Sequence, residues 1–149
     1  MKKVIIGVIS IVVIIIIIFG LWYYLSSKAI EKEIDEKSPL DMNDDMPSNA
    51  TIIAEGQFSG TNYDVKGKAL LIKNNDKYII RLEDFESESG PGLYVYLSTS
   101  LDDNDFIDLG KLKATKGNIN YDVSSNTDFD KYDNVLIWCE PFGVLFGSA

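Results

Sequence analysis

Cys139, the only cysteine in the chain, is the residue with the most chemistry open to it. It lies in the run Val135-Leu136-Ile137-Trp138-Cys139-Glu140-Pro141-Phe142. One thiol can form neither an internal disulfide nor a Cys-x-x-Cys pair. A redox role must therefore pass through a mixed disulfide, a sulfenic acid or a ligated metal. Such a thiol works best when partly exposed beside a positive charge that favours thiolate. Glu140 has the opposite sign, so a lysine or Arg81 would have to arrive from another strand. The plainer alternative is a small buried hydrophobe among apolar neighbours. On an alternating strand Val135, Ile137 and Cys139 share one face, and Leu136 and Trp138 the other.

A second group of chemical interest is Leu101 to Asp108, which offers Asp102, Asp103, Asn104, Asp105 and Asp108. Oxygen ligands at this density suit calcium. The run lacks the glycine and closing glutamate of the helix-flanked calcium loop. Aspartate and asparagine are also turn residues, so a solvated acidic turn is the alternative. Glu83, Asp84, Glu86 and Glu88 form a second acidic run with the same plain reading. No spacing in either run selects a carboxylate pair for glycoside chemistry. The chain has no histidine, which excludes a Ser-His-Asp triad, a histidine-ligated zinc or haem, and a histidine base. Gly56, Gly60, Gly67, Gly90 and Gly92 do not form a phosphate loop opening a helix. No enzyme class is selected, and no cofactor is required.

The elements that must position these groups begin with a membrane-like segment. Val4 to Leu25 carries no charge, and Ile11 to Ile18 is an unbroken row of Ile and Val. A helix of that length rises roughly 33 Å, enough for a hydrocarbon core of about 30 Å. Trp22, Tyr23 and Tyr24 close the run where an interfacial belt should lie. A cleaved signal peptide would have a shorter apolar core and small residues at its end, so an uncleaved anchor over 1–27 is expected, inserted in the bilayer through residues 4–25. Lys2 and Lys3 precede the span, and Lys28, Lys32 and Lys37 follow it. Lysine counting alone leaves the orientation open. A short N-terminal tail and a long C-terminal part fit a signal anchor, with a cytoplasmic N-terminus and the domain outside the cell membrane.

Apart from Lys2 and Lys3, twelve basic residues face 23 acidic ones, a formal charge of −11. That balance argues against nucleic acid and against lying flat on anionic lipid, both of which need basic patches. Residues 28–50 read as a helical stalk followed by a flexible linker. Lys28 with Glu31 and Lys32 with Glu36 are helix-spaced ion pairs, and Pro39, Pro47 and the aspartates between Ser38 and Asn49 suit a tether. Asn49-Ala50-Thr51 matches the glycosylation acceptor pattern, which a chain this rich in Asn, Ser and Thr meets by chance.

Residues 51–149 form one small domain with strand-like patterning. Tyr63, Val65, Gly67, Ala69 and Leu71 alternate with polar neighbours, and Tyr78 to Leu82 follows the turn residues Asn74-Asn75-Asp76. Leu93, Val95 and Leu97 alternate with Tyr94, Tyr96 and Ser98 after Gly90-Pro91-Gly92. Asn120 to Val123, Val135 to Cys139 and Gly143 to Phe146 complete the set. Short strands at this spacing predict an all-β fold, an antiparallel sandwich or barrel, after one N-terminal transmembrane helix.

Taken in order, several motifs resemble one family. Phe58-Ser59-Gly60, Gly67-Lys68-Ala69 and Leu82-Glu83-Asp84-Phe85 come first. Then follow Gly90-Pro91-Gly92-Leu93-Tyr94-Val95-Tyr96-Leu97-Ser98, Asp108-Leu109-Gly110-Lys111-Leu112-Lys113 and Gly117-Asn118-Ile119-Asn120-Tyr121. Val135 to Cys139 and Phe142 to Ala149 close the series. From about Ala54 to Ala149 the chain resembles the DM-thirteen domain family, small extracellular domains found beside DOMON modules and b-type cytochromes. The resemblance implies an all-β domain with an electron-transfer or redox role centred on a characteristic cysteine, here Cys139. It also implies an acidic residue where this chain has Gly92. Trp138 and Phe142 would shape the surroundings of the thiol, and the electron partner would be a separate membrane redox protein. The alternative is a non-enzymatic cell-surface binding module, calcium-assisted through Asp102, Asp103, Asp105 and Asp108.

Overall fold

The computed structural model describes residues 2–28, 32–40 and 49–149, with the side chains of 2–10 and 25–28 outside the description. Helix α1 (Lys2–Lys28) carries the apolar run. Ile and Val are poor helix formers in water, because branching at Cβ restricts their rotamers; in an apolar medium the helix is the one way for a single segment to satisfy its own backbone. Among the described residues no helix is long and apolar enough to cross a membrane.

The rest is strand. β1 (Glu33–Asp35), β2 (Ala50–Gln57), β3 (Ser59–Gly60), β4 (Val65–Asn74) and β5 (Lys77–Ser87) come first in the chain. β6 (Leu93–Ser98), β7 (Phe106–Lys111), β8 (Lys116–Val123), β9 (Asn134–Cys139) and β10 (Val144–Ser148) follow. They build two five-stranded sheets, ordered β1-β8-β5-β4-β2 and β3-β10-β9-β6-β7. Among the described residues all pairings are antiparallel except β1 with β8. The expected all-β architecture is thus a two-sheet sandwich rather than a closed barrel.

Period-two alternation fills the space between the sheets. Ala69, Leu71, Ile80, Leu82, Ile119 and Tyr121 from the first sheet meet Leu93, Val95, Leu97, Val135, Ile137 and Cys139 from the second. A smaller cluster of Tyr96, Leu136 and Trp138 lies on the outer side of the second sheet, with Tyr94 and Leu145 packed against it. The β4–β5 hairpin turns at Asn75 and Asp76, where Asn75 takes a left-handed φ of 53°, a conformation asparagine tolerates well.

The stretch read as a helical stalk is different in the structure. Helix α1 is described as far as Lys28, residues 29–31 lie outside the described residues, and Glu33–Asp35 pairs in parallel with Lys116–Asn118. Of the charges that look like helix-spaced pairs, Glu36 instead reaches the domain. Glu36 takes an ion pair from Lys113 at 3.1 Å and the Asn120 backbone N–H at 2.6 Å. Arg81, which is buried, donates from Nη1 to the Glu36 carbonyl and to Asn120 Oδ1, both at 3.0 Å. Asn118 donates to Asp35 at 2.8 Å and Asn120 to the Lys37 carbonyl at 3.0 Å. Gly117 makes this approach possible: its φ is +111°, and any Cβ there would run into the Ile34 carbonyl. Of the expected flexible linker, residues 41–48 lie outside the described residues.

Candidate functional site

Cys139 ends β9 facing the space between the sheets, opposite Leu93 of β6, and only 1% of its surface is exposed. Two short segments close over it. One is the Gly90-Pro91-Gly92 turn before β6; the other is a 3-10 turn at Glu140–Phe142, which Gly143 ends in a left-handed conformation. The Glu140 N–H donates to the Gly92 carbonyl at 3.1 Å and joins the two. The thiol donates to the Pro91 carbonyl at 3.4 Å. Burial pushes the thiol pKa above its ordinary value, and the Phe142 amide hydrogen bond pulls weakly the other way. The group is therefore held as a protonated thiol at neutral pH, which is the poorer nucleophile.

Arg81 does not arrive beside it. Its neighbours Ile80 and Leu82 point into the core, so its guanidinium lies on the outer side of the first sheet, bound to Glu83, Glu36 and Asn120. Gly92 has a φ of +72°, and a Cβ there would lie 3.0 Å from the Pro141 ring. An acidic side chain at this position would be strained and crowded, which accounts for glycine where the resemblance implies a carboxylate.

Trp138 and Phe142 do not line the thiol with their rings. Trp138 points to the other side of the sheet, as alternation requires, and packs among Tyr94, Tyr96, Leu136 and Leu145. The Phe142 ring is 63% exposed. Phe106 of β7 stacks on Tyr96 at 4.1 Å, so the outer side of β6, β7 and β9 carries a patch of aromatic rings. Burial first, and then the Glu140 and Asp108 carboxylates, push the Tyr96 hydroxyl up to about 12. This patch was legible in the parity of Tyr94, Tyr96, Leu136 and Trp138, yet apolar alternation drew attention to the inward face alone.

The acidic run is not gathered into a cage. Asp102 accepts from the Ser100 hydroxyl at 2.7 Å and from the Asn104 side chain at 2.7 Å, bonds that hold its pKa below the usual value. Asp105 binds Lys131 at 2.8 Å and the Tyr132 hydroxyl at 2.8 Å, and it too is shifted down. Asp108 sits in β7 and accepts the Gly110 N–H at 2.7 Å, while Asp103 is exposed. Ser98, wholly buried, ties the loop from below through the Asp102 and Asp105 carbonyls. These bonds make the run a braced turn, and among the described residues no group of three His, Cys, Asp or Glu side chains is placed to hold a metal ion.

A family model described as Electron transfer DM13 matches residues 57–149. No curated protein and no solved structure matches the chain.

Proposed function

The chain belongs to the electron-transfer DM13 family, and on that footing we propose that it serves as a membrane-anchored redox accessory module with Cys139 as its reacting group. Helix α1 is the anchor, the N-terminus is cytoplasmic, and the domain works outside the membrane beside a separate redox protein. The observation that supports Cys139 is its cover. Two turns joined by the Glu140–Gly92 backbone hydrogen bond lie at the thiol, while β9 is paired with β6 on one side and β10 on the other. Opening Glu140–Gly143 would uncover the sulfur without unfolding either sheet.

The chemistry follows from having one thiol kept protonated. When the turn opens, the thiol loses its proton to water and the thiolate attacks a disulfide of the partner. A mixed disulfide forms, and the partner's second sulfur leaves as thiolate. The electron pair for the new bond comes from Cys139, and the departing sulfur carries away the pair of the broken one.

Maleimide labelling of the full chain in nanodiscs, followed by mass across a urea series, tests this. Labelling well faster than global unfolding, with little urea dependence, is expected for a local opening. Labelling that tracks global unfolding at every urea concentration would rule out thiol chemistry and leave Cys139 as core packing.

The outer aromatic patch favours a second reading, a non-enzymatic cell-surface binding module. In that case Cys139→Ala leaves partner binding intact, whereas Phe106→Ser or Tyr94→Ser weakens it.

A further inference from the structure

Strand β9 has a second end, and there the sandwich is open. A cavity of about 350 Å³ enters the inter-sheet space beside edge strand β2. Its floor is core: Ala69 and Leu71 of β4, Ile80 of β5, Leu97 of β6 and Val135 of β9. Those residues are nearly inaccessible individually, yet together they line a space within the size range of small-molecule sites. Phe129 and Tyr132 border it from the loop before β9, and Phe129 is braced on Tyr78 at 4.9 Å.

The rim has one sign. Glu55, Asp130 and Asp133 line the cavity, all three are exposed, and among the described residues neither lysine nor arginine lines it. Lys131, which stands between two of them in sequence, is turned to Asp105. Among the described residues none of the three carboxylates is in an ion pair. Beside them Ile53, the extra residue in the bulge where β2 shifts register on β4, is 51% exposed.

We propose that this slot binds a small amphipathic amine, with its apolar chain or ring on the inter-sheet floor and its ammonium group among Glu55, Asp130 and Asp133. The floor contributes by removing apolar surface from water. The rim selects the cation, through exposed charges whose effect salt must weaken. The site is independent of the thiol and stands whether or not Cys139 reacts.

The test uses full-length protein in nanodiscs, with 1-octylamine, 1-octanol and octanoate as probes of one chain length and three charges. Binding is read from the backbone amide shifts of Leu71, Leu97 and Val135, so partition into lipid does not count. Octylamine is expected to bind roughly tenfold more tightly than octanol at low salt, with octanoate weakest. In the triple variant Glu55→Gln, Asp130→Asn, Asp133→Asn the amine should fall to the level of the alcohol. These surface changes leave the core intact, and an unchanged amide spectrum without ligand checks that. Ala69→Leu, which fills the floor, should weaken all three probes. No shift at these amides with any probe overturns the site. Equal binding of octylamine and octanol by the wild-type protein, or octylamine binding untouched by the triple variant, overturns the assignment to amines.

Discussion

At one end of β9 the inter-sheet space is sealed over Cys139; at the other it opens beside Val135 into a slot. Both residues face inward by the same alternation, so the strand itself does not create the difference. The covers do. Over Cys139 lie two turns whose proline and glycines let backbone pack against backbone, joined by the Glu140–Gly92 hydrogen bond. Beside Val135 the cover is a loop that turns Lys131 and the Tyr132 hydroxyl toward Asp105, and its Phe129 and Tyr132 border the floor without closing it. The contrast teaches that access to a sandwich interior is decided by the closing segments at its ends, and that a reactive group and a binding space need not share an end.

The largest effect should come from trimming one leucine at each end. Leu93, opposite Cys139 and fully buried, should cost about 4 kcal/mol as Leu93→Ala, because sealed surroundings leave a void. Leu71 already borders the slot, so Leu71→Ala should cost nearer to about 2 kcal/mol. Urea denaturation of the full chain measures both, and equal costs would erase the distinction between the ends.

A smaller change unseals the closed end. Gly92→Val places a branched side chain at φ +72° against the Pro141 ring, a strain of about 1–3 kcal/mol. Native-state maleimide labelling of Cys139 should accelerate while the amide shifts of Leu71 and Val135 stay in place. Unchanged labelling would mean that this turn is not the cover.

The smallest effect is on pH dependence, and it sharpens the contrast because the buried thiol has no counterpart on the slot floor. The folded thiol titrates above its ordinary value of 9.0, so the folded state keeps a proton that the unfolded state gives up. The stability this provides is complete below the unfolded pKa and is lost as pH rises through the folded one. Tyr121 and Tyr96, both raised to about 12, act in the same direction but only from about pH 10 upward. Between pH 8 and 10 the wild-type protein should therefore lose stability faster than Cys139→Ala, by urea midpoint. Parallel midpoints would mean that the thiol titrates normally.

Much of this sandwich was legible because its central strands obey a strict period of two. Leu93, Val95 and Leu97 point inward in the structure as their alternation predicts, as do Val135, Ile137 and Cys139. What escaped were segments whose partners lie far away in sequence. β2 is an edge strand with most residues exposed and a bulge at Ile53, so its pattern carries little period. β7 begins inside the acidic run at Phe106 and pairs with β6 through polar as well as apolar residues. β1 looked helical because Lys32 and Glu36 are four apart, whereas Glu36 reaches Lys113 and Asn120. At the candidate site, alternation placed the thiol on the inward face, but neither the two turns over it nor the slot at the other end of β9 has a local signature. Both arise only when the two sheets meet.

The docking of β1 sets the length of the leash. Read as stalk and linker, residues 28–50 would extend roughly 60 Å. With Glu33 already seated on β8, only the steps from Lys28 to Glu33 separate the described part of α1 from the sheet, at most roughly 18 Å of chain. If α1 is the anchor we propose, the domain cannot range outward to find its partner. It stays within a thin layer above the lipid headgroups, where confinement raises the effective concentration of any neighbour in the same membrane. Encounters there are set by lateral diffusion in the bilayer, and a partner free in the surrounding medium has to descend to that layer to meet it.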